Sequence, residues 1–217
     1  MEIVRFALPG NPRGRRLVVM LPGADIRPGD FESEGFVPAL RERSWPADAV
    51  ALDLDLADYI KPGFPAQLHE SVVAPALRQG YTRISLMGIS LGGMGALLYA
   101  RAHPKLAGSV ILLAPFLATR GTIAEVVAAG GLAAWRPSRP TTAGFENSLL
   151  AWLQSPRFQA PILPRVILGY GTEDRFAAAS VLLAAMLPRE RVIAISGGHD
   201  WPTWERLWRR IVDTALQ

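Results

Sequence analysis

The chain has 217 residues, half of them apolar, and a net charge of +4. No long polar or low-complexity stretch interrupts it, so we expect a single domain over residues 1–217 with an ample core. Because the chain has no cysteine, disulfides, zinc–thiolate sites and a cysteine nucleophile are excluded. No apolar run is long enough to span a membrane and the amino terminus lacks a signal-peptide pattern, so we expect a cytoplasmic protein.

The positive charge comes almost entirely from arginines, since Lys61 and Lys105 are the only lysines. The arginines are scattered and no aromatic residues are interleaved with them, so nucleic acid is not an expected partner. No nucleotide-binding glycine motif follows the first strand, and Asp53, Asp55 and Asp58 follow a strand without other metal ligands. We therefore expect neither an organic cofactor nor a metal.

Short runs rich in Val, Ile and Leu alternate with helical patterns along the chain. This alternation predicts an α/β fold with a mostly parallel sheet covered by helices on both faces. The predicted strands are residues 3–8, 16–21, 49–54, 83–87, 109–113, 165–169 and 191–195. The predicted helices are residues 34–43, 65–79, 91–102, 175–187 and 203–216. The turn-rich segment 9–14 predicts a hairpin between the first two strands, with the first as an antiparallel edge.

The alternation lapses between residues 115 and 163. Two helical stretches, 122–134 and 146–154, are separated there by a segment with two prolines. An insertion between two strands of such a sheet lies above its carboxyl edge, where ligands bind. We therefore expect a small helical cap over about residues 115–163.

Residues 84–95, ISLMGISLGGMG, have the pattern G-x-S-x-G between an apolar strand and a helical stretch. In a nucleophile elbow, a serine at a tight strand-to-helix turn has strained backbone angles, and the flanking glycines prevent collisions between strand and helix. The pattern predicts Ser90 as a nucleophile and the backbone N–H of Leu91 as an oxyanion donor. The alternative is a glycine-rich turn with an incidental serine.

A serine hydroxyl needs a neighbouring base to take its proton. His69 lies inside a predicted helix and His103 ends another just before Pro104, so both are interpreted as surface or capping residues. His199 follows the last strand in a glycine-rich loop and is the predicted base. The alternative for His199 is an exposed loop or helix-capping residue.

The base in turn needs a carboxylate that holds its ring in the right tautomer. Asp174 follows the strand at 165–169 and is the predicted acid, although a carboxylate before a helix can also be an N-cap. Glu173 is the local competitor. Asp200, next to His199 in the chain, is expected to point away from the ring.

The order Ser, Asp, His after three different strands resembles the α/β-hydrolase family. The motifs are GISLGG at 88–93, GTEDRF at 171–176 and GGHDW at 197–201, and the resemblance covers nearly the whole chain. It implies an α/β-hydrolase fold with Ser90 as nucleophile, His199 as base and Asp174 as the orienting acid.

The resemblance also implies a second oxyanion donor in the loop after the second strand. The N–H of Ala24 is the best candidate by position, although Pro22 replaces the histidine that is frequent in the family. Asp25 is awkward here, because its charge would oppose a developing oxyanion unless it points away or binds a cation.

These observations predict a cofactor-independent serine hydrolase that cleaves a carboxylic ester or thioester of a small molecule through an acyl-enzyme. A small-molecule receptor with the same fold and little turnover is the alternative. Apolar residues of the cap either favour a substrate with an apolar group or hold the cap on the core: Phe116, Leu117, Ile123, Val126, Val127, Trp135, Leu149, Leu150 and Trp152. Three tryptophans on one face of the last helix, Trp201, Trp204 and Trp208, are expected to pack in the core.

Overall fold

The computed structural model describes residues 2–7, 16–42, 47–105, 108–137, 144–159 and 164–214. In these ranges one sheet has the strand order β1-β3-β2-β4-β5-β6-β7, and every pair is parallel except β1 with β3. The predicted α/β fold with a mostly parallel sheet is confirmed. The strands are β1 Ile3–Phe6, β2 Arg16–Leu21, β3 Ala47–Leu52, β4 Arg83–Ile89, β5 Ser109–Leu113, β6 Arg165–Gly171 and β7 Val192–Ile195.

The helices follow the predicted alternation, with shorter elements between them. A π-helical turn, His69–Val73, joins α4 to α5, and a 3-10 turn, Arg189–Arg191, precedes β7. No described helix is both long and apolar enough to cross a membrane. The α-helices are α1 Asp30–Ser33, α2 Phe36–Glu42, α3 Leu56–Ile60, α4 Phe64–Leu68, α5 Ala74–Arg78, α6 Leu91–Ala102, α7 Arg120–Ala128, α8 Phe145–Gln154, α9 Ala177–Ala184 and α10 Trp201–Thr214.

Proline and glycine explain where helices differ from prediction. The helix expected over 65–79 contains the π turn immediately before α5, where Pro75 lacks the N–H that a regular helix needs. Gly35, with φ of +85°, separates α2 from the unpredicted α1. Beyond α7, Gly130 and Gly131 have φ of +89° and +106°. The helix predicted at 122–134 therefore ends early.

The predicted hairpin between the first two strands is wrong, although the first strand does form an antiparallel edge. β1 pairs with β3, with Ile3 opposite Leu52. Both edges of β2 are occupied by parallel partners, β3 on one side and β4 on the other. The outer edge of β3 is therefore the position left for β1. The expected turn at 9–14 and Leu8 lie outside the described residues.

The sheet separates two hydrophobic cores, as expected for a sheet covered on both faces. Along β2, Val19 and Leu21 face the core that includes residues of α6, α7, α8 and α9. Val18 and Met20 face the core that includes residues of α1, α2 and α10. The parallel strands consequently bring the loops after β2, β4, β6 and β7 to one edge of the sheet.

Candidate active site

Ser90 lies at the turn between β4 and α6 with φ of +52° and ψ of −111°. A positive φ is uncommon for a residue with a side chain, and such strain is concentrated at functional sites. The backbone is held by hydrogen bonds: the Ser90 N–H donates to the Leu113 carbonyl at 2.9 Å, and the Ser90 carbonyl accepts from the Phe116 N–H at 2.8 Å. The end of β5 thus fixes the strained turn.

The two glycines of the elbow occupy positions where no side chain fits. A Cβ atom on Gly88 would lie 2.2 Å from the backbone of Gly92. A Cβ atom on Gly92 would lie 2.0 Å from the carbonyl oxygen of Leu21, at the end of β2. These approaches are the strand and helix crossing that the sequence pattern predicts.

The structure brings Asp174 and His199 together from the loops after β6 and β7. The His199 Nδ1 lies 2.6 Å from the Asp174 Oδ2, and the other carboxylate oxygen accepts the Phe176 N–H at 2.7 Å. The Asp174 side chain is 1% exposed. Because an ionised carboxylate only accepts hydrogen bonds, Nδ1 carries the proton and Nε2 is free to act as a base.

Close backbone contacts hold these two loops against each other. A Cβ atom on Gly171 would lie 2.2 Å from the Gly197 carbonyl oxygen. The same carbonyl accepts the Glu173 N–H at 3.0 Å, and the Ile195 carbonyl accepts the Thr172 N–H at 2.8 Å. Backbone contacts between the two loops thus support the contact between Asp174 and His199.

The two competing carboxylates have other partners. Glu173 accepts a hydrogen bond from the Ser196 hydroxyl at 2.5 Å. Asp200 accepts the Thr203 N–H at 3.0 Å, at the first turn of α10. Hydrogen bonding to Thr203 holds the pKa of Asp200 below its usual value. Asp200 is therefore a helix cap, while the carboxylate bonded to His199 is that of Asp174.

A cavity of about 810 Å³ opens beside Ser90 and His199. Leu91 lines it at the start of α6, where first-turn N–H groups have no partner inside the helix. Its remaining wall is mostly apolar and comes from α7, α9 and the segment after β5. A cavity of this size and character suits a small organic ligand.

The loop after β2 passes directly beside Ser90. A Cβ atom on Gly23 would lie 3.2 Å from the Ser90 Cβ, and the next two residues, Ala24 and Asp25, line the cavity. Asp25 has φ of +60°, in the left-handed region. This loop therefore lies where a second oxyanion donor would be needed, but with a carboxylate at the cavity wall.

Sequence reasoning missed two aromatic residues that hold the His199 ring. Phe176 and Trp204 pack edge-to-face against it, with centroid distances of 5.0 Å and 4.9 Å. Both also line the cavity. Phe176 stands two residues after Asp174, which is a signal available in the sequence, whereas Trp204 reaches the site only because α10 packs on the sheet.

The apolar residues expected in the cap fall into two groups, one that lines the cavity and one that is buried in the core. Phe116, Ile123 and Val127 line the cavity. The others are buried in the core: Leu117, Val126, Trp135, Leu149, Leu150 and Trp152. Among the tryptophans of α10, Trp208 is fully buried as predicted, while Trp204 is buried and also lines the cavity.

His69 and His103 do not line this cavity. Their rings stack on each other at a centroid distance of 4.7 Å, beside Tyr99. The His69 Nδ1 lies 3.1 Å from the Tyr99 hydroxyl. His199 is accordingly the histidine that lines the same cavity as Ser90.

Comparison with known proteins gives the family. A model of the Esterase family matches residues 68–212, more than half of the chain. No curated protein matches the chain in sequence.

Solved structures give the fold. Fluorophosphonate-binding serine hydrolase F of Staphylococcus aureus is 12% identical with a TM-score of 0.70, covering 96% of this chain and 85% of that one. S-formylglutathione hydrolase of the same organism is also 12% identical, with a TM-score of 0.64 and the same coverage. A monoacylglycerol lipase of Paleococcus ferrophilus is 17% identical, with a TM-score of 0.60 and coverage of 99% and 97%. The chain belongs to the Esterase family and is an ester hydrolase with the α/β-hydrolase fold.

Proposed function

We propose that the chain cleaves a carboxylic ester or thioester with Ser90 as nucleophile, His199 as general base and Asp174 as the acid that orients it. The observation that carries this proposal is the 2.6 Å hydrogen bond from His199 to the buried Asp174, at the wall of the cavity that Ser90 also lines. A base oriented by a buried carboxylate beside a serine in a strained turn is the arrangement that acyl transfer requires.

In the first half of the reaction, the Ser90 oxygen attacks the substrate carbonyl carbon while His199 Nε2 takes the hydroxyl proton. Asp174 keeps Nδ1 protonated and stabilises the imidazolium that forms. The tetrahedral intermediate then expels the alcohol or thiol, which receives that proton from His199. The product of this half is an acyl group bonded to Ser90.

The negative charge that develops on the carbonyl oxygen needs fixed donors. The N–H of Leu91 lies at the positive end of α6, next to the attacking serine. The N–H of Ala24 is the proposed second donor, because its loop lies against Ser90. For the Ala24 N–H to serve this role, the carboxylate of exposed Asp25 must point away from the oxyanion.

In the second half, His199 takes a proton from water, and the resulting hydroxide equivalent attacks the acyl carbon. Collapse of this intermediate returns the proton to the Ser90 oxygen and releases the acid. Apolar side chains of α7 and α9, including Ile123 and Val127, support a substrate with an apolar group near the scissile bond.

The test is steady-state hydrolysis of 4-nitrophenyl acetate and butyrate by the wild type and by Ser90→Ala. We expect sustained turnover by the wild type and a loss of at least about 10³-fold in kcat in the variant. Ser71→Ala, an exposed serine of the π turn, is the matched control and should keep wild-type rates. Unchanged turnover in Ser90→Ala would sink the assignment, and a single burst without turnover would favour a receptor.

A further inference from the structure

Two arginines of the cavity wall converge on one aromatic ring. Arg120 is the first residue of α7, and Arg175 directly follows Asp174. Their guanidinium carbons lie 4.9 Å and 4.8 Å from the centroid of Phe176. The same ring contacts His199. Two positive charges are thus held one aromatic ring away from the proposed base.

Neither guanidinium is neutralised by a carboxylate of the described residues. Within the described ranges, Arg120 and Arg175 make no hydrogen bond or ion pair with a carboxylate, and both are exposed. Other exposed arginines do have such partners: Arg27 pairs with Asp53 at 3.2 Å, and Arg41 pairs with Glu32. Arg120 and Arg175 are therefore available to bind an anionic ligand, and both line the cavity.

The rest of the described wall balances these charges only in part. Asp25 also lines the cavity, but Asp174 lies behind His199 and is not part of the wall. The guanidinium groups are positioned by cation–π contact with Phe176, which leaves their N–H groups free to bind an anion. A planar guanidinium is well suited to a carboxylate, which it can bind with two parallel hydrogen bonds.

We infer that the substrate is an ester or thioester whose acyl chain is apolar and ends in an anionic group, a carboxylate in the first instance. The ester carbonyl would lie at Ser90, the methylene chain along α7, and the anion at Arg120 and Arg175. This inference rests on the proposed function and narrows its substrate class: the cavity takes an apolar chain with a charged end rather than an entirely neutral one.

The experiment compares mono-(4-nitrophenyl) adipate with 4-nitrophenyl hexanoate, which has the same chain length but no carboxylate. We expect the wild type to have the higher kcat/KM on the adipate ester. In Arg120→Gln and in Arg175→Gln the adipate-to-hexanoate ratio of kcat/KM should fall about tenfold, the loss expected for a charge-assisted hydrogen bond. Added salt should lower the wild-type ratio as well, because it screens the attraction.

Arg78→Gln is the control, since it removes the same charge from an exposed position on α5, outside the cavity. Its ratio should equal that of the wild type. An equal ratio in the wild type, Arg120→Gln and Arg175→Gln would overturn the inference while leaving Ser90-dependent hexanoate hydrolysis, and so the proposed function, intact.

A binding measurement keeps the inference testable if neither ester is turned over. Adipamate and hexanamide are stable mimics of the two acyl chains. By calorimetry, adipamate should bind the wild type more tightly than hexanamide does, and the double variant Arg120→Gln/Arg175→Gln should bind adipamate about tenfold more weakly. Equal affinity of the wild type and the double variant for adipamate would refute anion recognition whatever the catalytic result.

Discussion

The carboxylate of Asp174 is almost wholly removed from water, and both of its oxygens accept hydrogen bonds. A buried charge of this kind is tolerated only with such donors. Its neutral amide analogue would be isosteric, but it could present an N–H group to His199 and so favour the wrong tautomer of the ring. Replacing one carboxylate oxygen by an amide nitrogen therefore changes the hydrogen bond to His199 without changing the volume of the side chain.

We expect Asp174→Asn to lower kcat on 4-nitrophenyl butyrate by about 10³- to 10⁴-fold, with little change in fold. Glu173→Gln is the matched control one position away, because Glu173 bonds Ser196 rather than the base. Its kcat should stay within about threefold of wild type. Similar losses in the two variants, measured beside their circular dichroism spectra, would show that Asp174 is not the orienting acid.

At the level of single residues, some features of this site can be predicted from the sequence and others cannot. The strained turn at Ser90 was predictable because steric exclusion at Gly88 and Gly92 leaves a local pattern in the chain. Arg120 was not, since its contact with Phe176 joins segments that are distant in sequence. Side chains that tertiary packing brings together have no fixed spacing in the sequence from which their contact could be predicted.

At the scale of elements, α7 is held in place by α8. Glu146 of α8 accepts hydrogen bonds from the hydroxyls of Thr119 and Thr122, at 3.2 Å and 2.9 Å. α7 in turn supplies Ile123 and Val127 to the cavity wall. The carboxylate of Glu146 therefore links α8 to the amino-terminal end of the helix that lines the cavity.

We expect Glu146→Ala to loosen α7 and weaken contacts with a long acyl chain more than with acetate. The hexanoate-to-acetate ratio of kcat/KM should fall about three- to tenfold, since hydrogen bonds to a charged group are lost. Glu125→Ala, an exposed carboxylate on α7 itself, should leave the ratio unchanged. An equal fall of the ratio in both variants would show that the lost negative charge, and not the hydrogen bonds between α7 and α8, causes the effect.

The segment α4 to α5 packs on α6 partly through His69, Tyr99 and His103. Burial, and then the neighbouring His69, lower the pKa of His103 from its ordinary value of 6.5. Because the folded pKa is depressed, the unfolded chain binds the proton more readily than the native one. Native stability is thus lost as the pH falls from about 6.5 toward the folded value.

We expect the free energy of unfolding of the wild type to fall between about pH 7.5 and about pH 5.5 by more than that of His103→Gln. Urea unfolding at both pH values gives the comparison directly. The difference between the two proteins isolates His103 from other titrating groups. Parallel pH dependences would show that its protonation is not linked to folding.

The pairing partner of the edge strand β1 could not be predicted from a local turn pattern. A turn-rich connection predicts a hairpin, but the partner of a strand depends on which edges the rest of the sheet leaves open. Here β3 and β4 occupy both edges of β2, so β1 pairs with β3. Hydrophobic periodicity predicted that these strands exist, and it carries no information about their order.

At the scale of the whole molecule, an early helix, α2, and the last helix, α10, meet in one core. Trp208 of α10 is fully buried, stacks on Phe36 of α2 at 5.8 Å, and donates its Nε1–H to the Phe36 carbonyl at 2.9 Å. The loops that carry Ser90, Asp174 and His199 come from strands of the same sheet. We therefore propose that the chain unfolds as one cooperative unit.

We expect Trp208→Ala to lower the free energy of unfolding by about 3–5 kcal/mol, because it leaves a large cavity and an unpaired Phe36 carbonyl. In urea, loss of esterase activity and loss of far-ultraviolet ellipticity should shift together, since the sheet that positions the site shares this core. Arg210→Ala, on the exposed side of the same helix, should change stability by less than about 0.5 kcal/mol. If part of the ellipticity is lost at a lower urea concentration than the activity, the chain instead unfolds as two units, with α2 and α10 unfolding before the site.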